Sequence, residues 1–182
     1  MSRLLFIDTE TGGVDPNKHS LLSIGLVVWD SYDGLIYEKE YYVKQREYVI
    51  TQTARQINKI SLEDLRKATS TKRIIEDFHK IKIQYFGEYQ GIPLAGHNTQ
   101  FDVQFIKKMF LDSHRSFGKV FSHRILDTYS ILRYLYDSGR IDDKIESSAK
   151  AFSFFGINVE GRHTALGDAK ATMQLYEKML KM

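Results

Sequence analysis

Hydrophobic and polar positions follow two different periods along the chain. Residues 3–8 and 21–29 are apolar runs typical of buried strands, and residues 35–43 alternate apolar and polar side chains as a half-buried strand does. The connections between these runs are short and carry Gly12-Gly13 and Asp33-Gly34, which are turn residues. The pattern predicts three consecutive antiparallel strands.

From residue 51 onward the apolar period becomes helical, with short strands predicted at residues 94–96 and 124–127. Ser61, Asn98 and Asp127 are suitable helix N-caps. Strands that alternate with helices indicate parallel pairing, so we expect one mixed α/β sheet of five strands with helices on both faces. The predicted helical segments are 51–60 (with Ala54, Ile57 and Ile60 at helical spacing), 70–89, 98–110 (with Phe101, Phe105 and Ile106 facing inward), the segment around 131–135, 145–155 and 164–180.

Composition narrows the class of protein. The 182 residues are 42% hydrophobic and 27% charged, which fits a single globular domain over residues 1–182. The chain has no cysteine, so disulfides and Cys-ligated zinc are excluded and any metal must bind to Asp, Glu, His or carbonyl oxygen. A net charge of +3 permits a polyanionic partner without requiring one. No apolar run is long enough for a signal peptide or a membrane span, so we expect a cytoplasmic protein with no membrane partner.

Four acidic residues occupy positions that a folded sheet would bring together. Asp8 and Glu10 lie on one side of the first strand, because side chains repeat every second residue. Asp102 and Asp168 lie near the starts of helices, and ligand sites in such sheets form where strands end and helices begin. Four clustered carboxylates repel one another unless cations compensate them, so the pattern predicts two Mg²⁺ or Mn²⁺ ions about 3.5–4 Å apart.

His163 lies five residues before Asp168 and is a candidate general base, because imidazole can take a proton from water near neutral pH. Each of these residues also has a structural interpretation: an Asp after a strand is often a cap, and His19, His79, His114 and His123 are interpreted as surface residues. Independent caps would not supply four acids and a base at compatible ends of neighbouring elements. Their joint occurrence favours a catalytic site.

Three short segments also carry a resemblance. DTETGG at Asp8, GHNTQFD at Asp102 and HTALGDA at Asp168 resemble the motifs of the DEDDh group, the DnaQ-like 3′-to-5′ exonucleases with a ribonuclease H-like fold. Residues 54–61 and 126–128 resemble connecting segments of the bacterial DNA polymerase III epsilon subunit. The resemblance implies that Asp8, Glu10 and Asp168 hold the first metal and that Asp8 bridges to the second. Asp102 would assist directly or through water, and His163 would be the general base.

The activity that the resemblance implies is release of nucleoside 5′-monophosphates from the 3′ end of a single strand, with DNA favoured. Trimming of RNA 3′ ends, as by ribonuclease T, and a catalytically inactive nucleic-acid-binding module are the alternatives. A DNA polymerase or replication complex is a candidate partner. Because the chain ends two residues after Leu180, we expect no polymerase domain, and the oligomeric state is left open. Expected substrate contacts are Thr11, Gly12, Gly13, His97, Asn98 and Phe101.

Overall fold

A mixed sheet organises the structure, a computed structural model that describes residues 2–58, 60–159 and 164–182. Within these ranges five strands lie in the order β3-β2-β1-β4-β5. The first three are antiparallel, and β4 and β5 run parallel to β1. This confirms the predicted mixed five-stranded sheet. The strands are β1 (Arg3–Thr11), β2 (Leu21–Asp30), β3 (Gly34–Tyr42), β4 (Ile92–Gly96) and β5 (Phe121–Asp127).

Helices cover both faces of the sheet. Their bounds are α1 (Gln52–Asn58), α2 (Leu62–Arg66), α3 (Thr71–Ile81), α4 (Gln100–Asp112), α5 (Thr128–Asp137), α6 (Ser148–Phe154) and α7 (Ala165–Met179). Ser61 forms the expected capping box of α2, and the Asp127 carboxylate caps α5 by accepting from the Tyr129 N–H. No helix in the described ranges is long and apolar enough to cross a membrane.

The two faces of β1 belong to different parts of the core. Leu5 and Ile7 pack in a cluster with residues of α3 and α4, whereas Leu4 and Phe6 pack with residues of α7. β2 is buried along its whole length, since both of its faces are covered. Alternation along β1 therefore decides which helix each later residue of the strand meets.

Several expected boundaries differ in the structure. The helix expected over 70–89 ends at Ile81 and continues as a π-helical segment over Lys82–Phe86, after which Gly87 takes a φ of 87°. The helix expected from residue 145 begins at Ser148, because the Ser147 side chain caps it. The strands expected at 94–96 and 124–127 begin at Ile92 and Phe121.

One prediction about an individual side chain was wrong. Asn98 does not cap α4: Thr99 holds the N-cap position, and Asn98 has a φ of 59° with its backbone N–H donating to the Asp127 carboxylate at 3.0 Å. A single Asp127 side chain thus fixes both the loop before α4 and the start of α5. On the short helix α1, the side chain of Ile57 is 53% exposed.

Candidate active site

Three of the predicted acids meet at the end of β1. Asp8 and Glu10 point to the face of the sheet that α7 covers, and Asp168 lies in the first turn of α7. One carboxylate oxygen from each of the three residues lies within 4.8 Å of the others, and all three residues are half-buried. The strand alternation and the helix start thus build one group of oxygen donors from residues 160 positions apart in the chain.

A glycine lets α7 approach the sheet this closely. Gly25 of β2 lies opposite Asp8, and a Cβ added to Gly25 would overlap the backbone of Ala165 at the start of α7. Ala165 and Ala169 of the same helix are fully buried. Small side chains on both surfaces therefore place Asp168 next to Asp8.

Glu40 also contacts the start of α7. It lies opposite Gly25 on β3, and its Oε1 accepts a hydrogen bond from the Leu166 N–H at 3.3 Å. Burial raises the pKa of Glu40 above its usual value, while the amides of Leu166 and Ala165 act in the opposite direction. The first N–H groups of a helix lack hydrogen-bond partners within the helix. A carboxylate that accepts from them therefore stabilises the helix in that position. Sequence reasoning missed Glu40, since only the register places it at α7.

Asp102 reaches β1 from the opposite face. It lies in the first turn of α4, is 4% exposed, and its Oδ1 accepts the Thr9 hydroxyl proton at 2.7 Å. Burial raises the pKa of Asp102 to about 7, partly offset by the hydrogen bond from Thr9. The group of three clustered carboxylates does not include Asp102. The structure thus links the fourth acid to the site through Thr9, which lies between Asp8 and Glu10 in the strand.

The predicted general base, His163, lies outside the described residues. Its role stays a prediction from the sequence. The described chain resumes at Thr164, whose side chain caps α7 by accepting from the Gly167 N–H at 3.1 Å.

A cleft of about 490 Å³ opens beside Glu10. Val14 and Ile57 present apolar side chains there, with exposures of 80% and 53%. Phe101 also lines the cleft and packs on Phe105, with ring centroids 5.3 Å apart. The cleft is lined by Thr9, Glu10, Thr11, Gly13, Val14, His19, Thr51, Thr53, Ala54, Ile57, Asn58 and Phe101.

Of the expected substrate contacts, Thr11, Gly13 and Phe101 line this cleft, whereas Gly12, His97 and Asn98 are not among its lining residues. The Gly12 N–H donates to the Ser20 carbonyl at 2.7 Å, and a Cβ at Gly12 would overlap the Val49 carbonyl. His97 Nδ1 lies 3.0 Å from the Thr128 hydroxyl.

Several residues that line the cleft were not expected from the sequence. His19, interpreted as a surface residue, accepts the Asp15 N–H at Nδ1 (3.1 Å), and its ring lies over Gly13 where a Cβ would be. One signal in the sequence could have indicated two of them: Val14 is an apolar residue in a polar loop, and Ile57 is an apolar residue on a short helix.

Comparison with known proteins decides the family. Residues 5–176 match the RNase_T family, described as an exonuclease. The chain belongs to this exonuclease family. It is 27% identical over 176 residues to the DNA polymerase III subunit epsilon of Treponema pallidum, covering 95% of this chain and 74% of that protein. It is also 38% identical over 89 residues to the PolC-type DNA polymerase III of Clostridium perfringens, covering 48% of this chain but 6% of that protein.

Solved exonuclease structures share the fold. Escherichia coli exonuclease I, in complex with a dT13 oligonucleotide, superposes with a TM-score of 0.83 at 19% identity, over 100% of this chain and 41% of that one. The nuclease domain of 3′hExo, a DEDDh family member bound to rAMP, superposes with a TM-score of 0.77 at 14% identity, covering 98% and 92%. The resemblance to DnaQ-like 3′-to-5′ exonucleases with a ribonuclease H-like fold is therefore confirmed, and the exonuclease family spans nearly all of the chain.

Proposed function

We propose that this exonuclease is metal-dependent and releases nucleoside 5′-monophosphates from the 3′ end of single-stranded DNA. The observation that carries the proposal is the meeting of Asp8, Glu10 and Asp168 at the edge of a cleft large enough for a terminal nucleotide. Glu10 lines the cleft and the other two carboxylates lie next to it, so a strand end bound in the cleft would place its last phosphodiester near them.

The donor set fits a hard divalent cation. Three carboxylates within 4.8 Å of one another offer oxygen ligands of the kind that Mg²⁺ and Mn²⁺ prefer. Like charges gathered this closely repel one another, and a cation relieves that repulsion. We propose two ions, one held by Asp8, Glu10 and Asp168 and a second sharing Asp8. When bound, such ions lower the pKa of a coordinated water and stabilise the charge on attacking and leaving oxygens.

The chain's own residues orient the substrate and move the proton. Phe101, Ile57 and Val14 offer apolar surface to a nucleobase, and stacking on such a surface tolerates every base. The Thr11 hydroxyl is hydrogen-bonded within its own loop, where it donates to the Gly13 carbonyl at 2.8 Å. We assign His163 the role of general base that takes a proton from the attacking water.

DNA is favoured as the substrate because exonuclease I, which shares the fold over the whole chain, was solved with a DNA oligonucleotide. RNA is the second candidate, since 3′hExo was solved with rAMP. The similarity to an epsilon subunit of DNA polymerase III supports a polymerase or replication complex as a partner.

The test is degradation of 5′-labelled single-stranded DNA and RNA of one sequence in Mg²⁺, in Mn²⁺ and in chelator. We expect a ladder that shortens from the 3′ end, requires the metal, is faster on DNA and is lost in Asp168→Ala. Asp137→Ala is the control, because Asp137 is an exposed acid on α5 that pairs with Arg133. A folded protein that cuts neither strand would overturn the proposal and favour a binding module, and faster cutting of RNA would reverse the substrate assignment.

A further inference from the structure

A groove extends away from the cleft along α3 and α4. It consists of two adjoining cavities of about 330 and 690 Å³, which share Thr71, Asp112 and Ser113. The smaller cavity also shares His19 with the cleft. The three spaces are therefore neighbours, and they lead from the cleft beside Glu10 toward the C-terminal end of α4. We call the two outer cavities the α3–α4 groove.

Cations dominate the lining of the α3–α4 groove. Glu76 and Asp112 are the acids that line it in the described part of the chain, and both oxygens of Asp112 accept from the Lys108 ammonium at 2.6 and 2.7 Å. The lining Lys and Arg residues are Lys18, Lys44, Lys72, Lys80, Lys108 and Arg115.

Three of these cations are available to a ligand. Lys44, Lys72 and Arg115 are exposed, and none of them takes part in an ion pair among residues 2–58, 60–159 and 164–182. By contrast, Lys18 pairs with Asp15 at 3.3 Å and Lys80 pairs with Asp77 at 3.1 Å. Lys44 lines the cavity next to the cleft, whereas Lys72 and Arg115 line the outer one. The available positive charge is thus distributed along the length of the groove.

The shape and chemistry of the groove suit a phosphate backbone. Its lining also includes the neutral side chains of Ile75 and Met109, and the Ser113 hydroxyl donates to the Thr71 hydroxyl at 3.4 Å. The 13 residues of α4 span about 20 Å at 1.5 Å per residue. That length corresponds to about six nucleotides at the ~3.4 Å spacing of a stacked strand. A small anion or a single side chain would use only one of the spaced cations.

We propose that the α3–α4 groove binds the phosphodiester backbone of the single strand on the 5′ side of the end held in the cleft. The direction of the strand rests on the proposed exonuclease function. Backbone contacts of this kind carry little sequence information, so the groove would raise affinity for long strands of any sequence. Short strands would occupy the cleft alone.

The experiment measures binding of fluorescent single strands of 3, 6 and 12 nucleotides by anisotropy, in chelator, over a series of KCl concentrations. The variants are Lys44→Ala and the double variant Lys72→Ala/Arg115→Ala. The matched control is Lys178→Ala/Lys181→Ala, which removes two exposed lysines near the C-terminal end of α7, far from the helix start that carries Asp168.

We expect the 3-mer to bind all variants equally. The double variant should weaken 12-mer binding about tenfold and lower the slope of log K against log[KCl] by about 1.4, that is, about 0.7 for each phosphate contact. Lys44→Ala should lower the same slope by about 0.7. It should weaken binding of the 6-mer as well as the 12-mer, because Lys44 lies nearer the cleft.

The proposal is overturned if the groove variants match the control in both affinity and salt slope. It is also overturned if wild-type protein binds the 12-mer no more tightly than the 3-mer. These outcomes are separate from the degradation assay: a protein that cuts no strand would refute the exonuclease activity, while the binding series would still decide whether the groove holds a strand.

Discussion

Two helices bring an aspartate to β1 in equivalent positions but from opposite faces. Asp168 lies in the first turn of α7 and Asp102 in the first turn of α4. Asp168 is half-buried and gathers with Asp8 and Glu10, whereas Asp102 is buried and accepts the hydroxyl proton of Thr9. The two acids that look alike in the sequence therefore have different surroundings.

The difference follows from the alternation of β1. Asp8 and Glu10 face α7, and Thr9 between them faces α4, so each helix start meets a different kind of side chain. On the α7 face three carboxylates lie close together, which favours a bound cation. On the α4 face the neutral Thr9 hydroxyl donates a hydrogen bond to Asp102. Asp168 is thus placed to be a metal ligand, whereas Asp102 is hydrogen-bonded to β1 through Thr9.

The largest expected effect is that of Asp168→Asn. We expect kcat/KM to fall about 10³-fold or more in Mg²⁺, because several kcal/mol of charge stabilisation at the phosphate depend on this ligand. Thermal unfolding should separate loss of the metal from loss of the fold: Mn²⁺ should raise the Tm of the wild type but not of the variant, and both should fold in chelator. Asp137→Asn should behave as wild type, and a variant that still responds to Mn²⁺ would argue against Asp168 as a ligand.

The next largest effect is that of Gly25→Ala. The added methyl would overlap the Ala165 backbone, so α7 must move away from the sheet and carry Asp168 with it. We expect kcat/KM to fall on the order of 10²-fold and the free energy of unfolding to fall by about 1–3 kcal/mol. Gly118→Ala is the matched control, since a Cβ at Gly118 meets no atom within 4 Å. Equal activity of the two variants would show that the fit at Gly25 does not position Asp168.

Asp102→Asn tests the different surroundings of the two aspartates through the pH dependence of the free energy of unfolding. The pKa of Asp102 is raised in the folded state to about 7, above the ~3.9 of an unfolded chain, so the folded state binds the additional proton between those values. Stability contributed by the protonated acid is present below pH ~4 and is lost as pH rises toward 7, by at most ~1.4 kcal/mol per pH unit.

Urea unfolding of wild type and Asp102→Asn in chelator at several pH values measures this loss. The variant should lose less stability across that window than the wild type. Thr9→Val should extend the decline to higher pH, because it removes the hydrogen bond that favours the ionised acid. Parallel curves for wild type and Asp102→Asn would contradict the assignment of a raised pKa.

The smallest expected effect is at Glu40. Glu40→Ala removes the acceptor for the Leu166 N–H and should lower kcat several-fold with KM for the strand unchanged, since α7 is less well positioned. Glu40→Gln keeps an oxygen that can accept the same hydrogen bond and should restore most of the activity. If both variants lose activity equally, the charge at the helix start rather than the hydrogen bond positions α7.

Local patterns predicted more of the fold than of the site. The apolar runs and the change of period predicted the three antiparallel strands, the later strands and the helices, and Ser61 and Asp127 were correctly predicted as caps. Predictions failed where a distant group decided the outcome. Asn98 does not occupy the cap position, and its backbone N–H donates to the Asp127 carboxylate, 29 residues away in the chain.

The sequence by itself predicted the three acids that cluster at the end of β1, since strand alternation and helix starts are local properties that neighbouring residues define. Only the tertiary structure decided their partners. The register that places Gly25 and Glu40 beside α7, the hydrogen bond from Thr9 to Asp102 and the path from the cleft to Arg115 all join residues far apart in the chain. Such contacts depend on how whole elements pack, and the periodicity of one segment does not specify which distant residue it will contact.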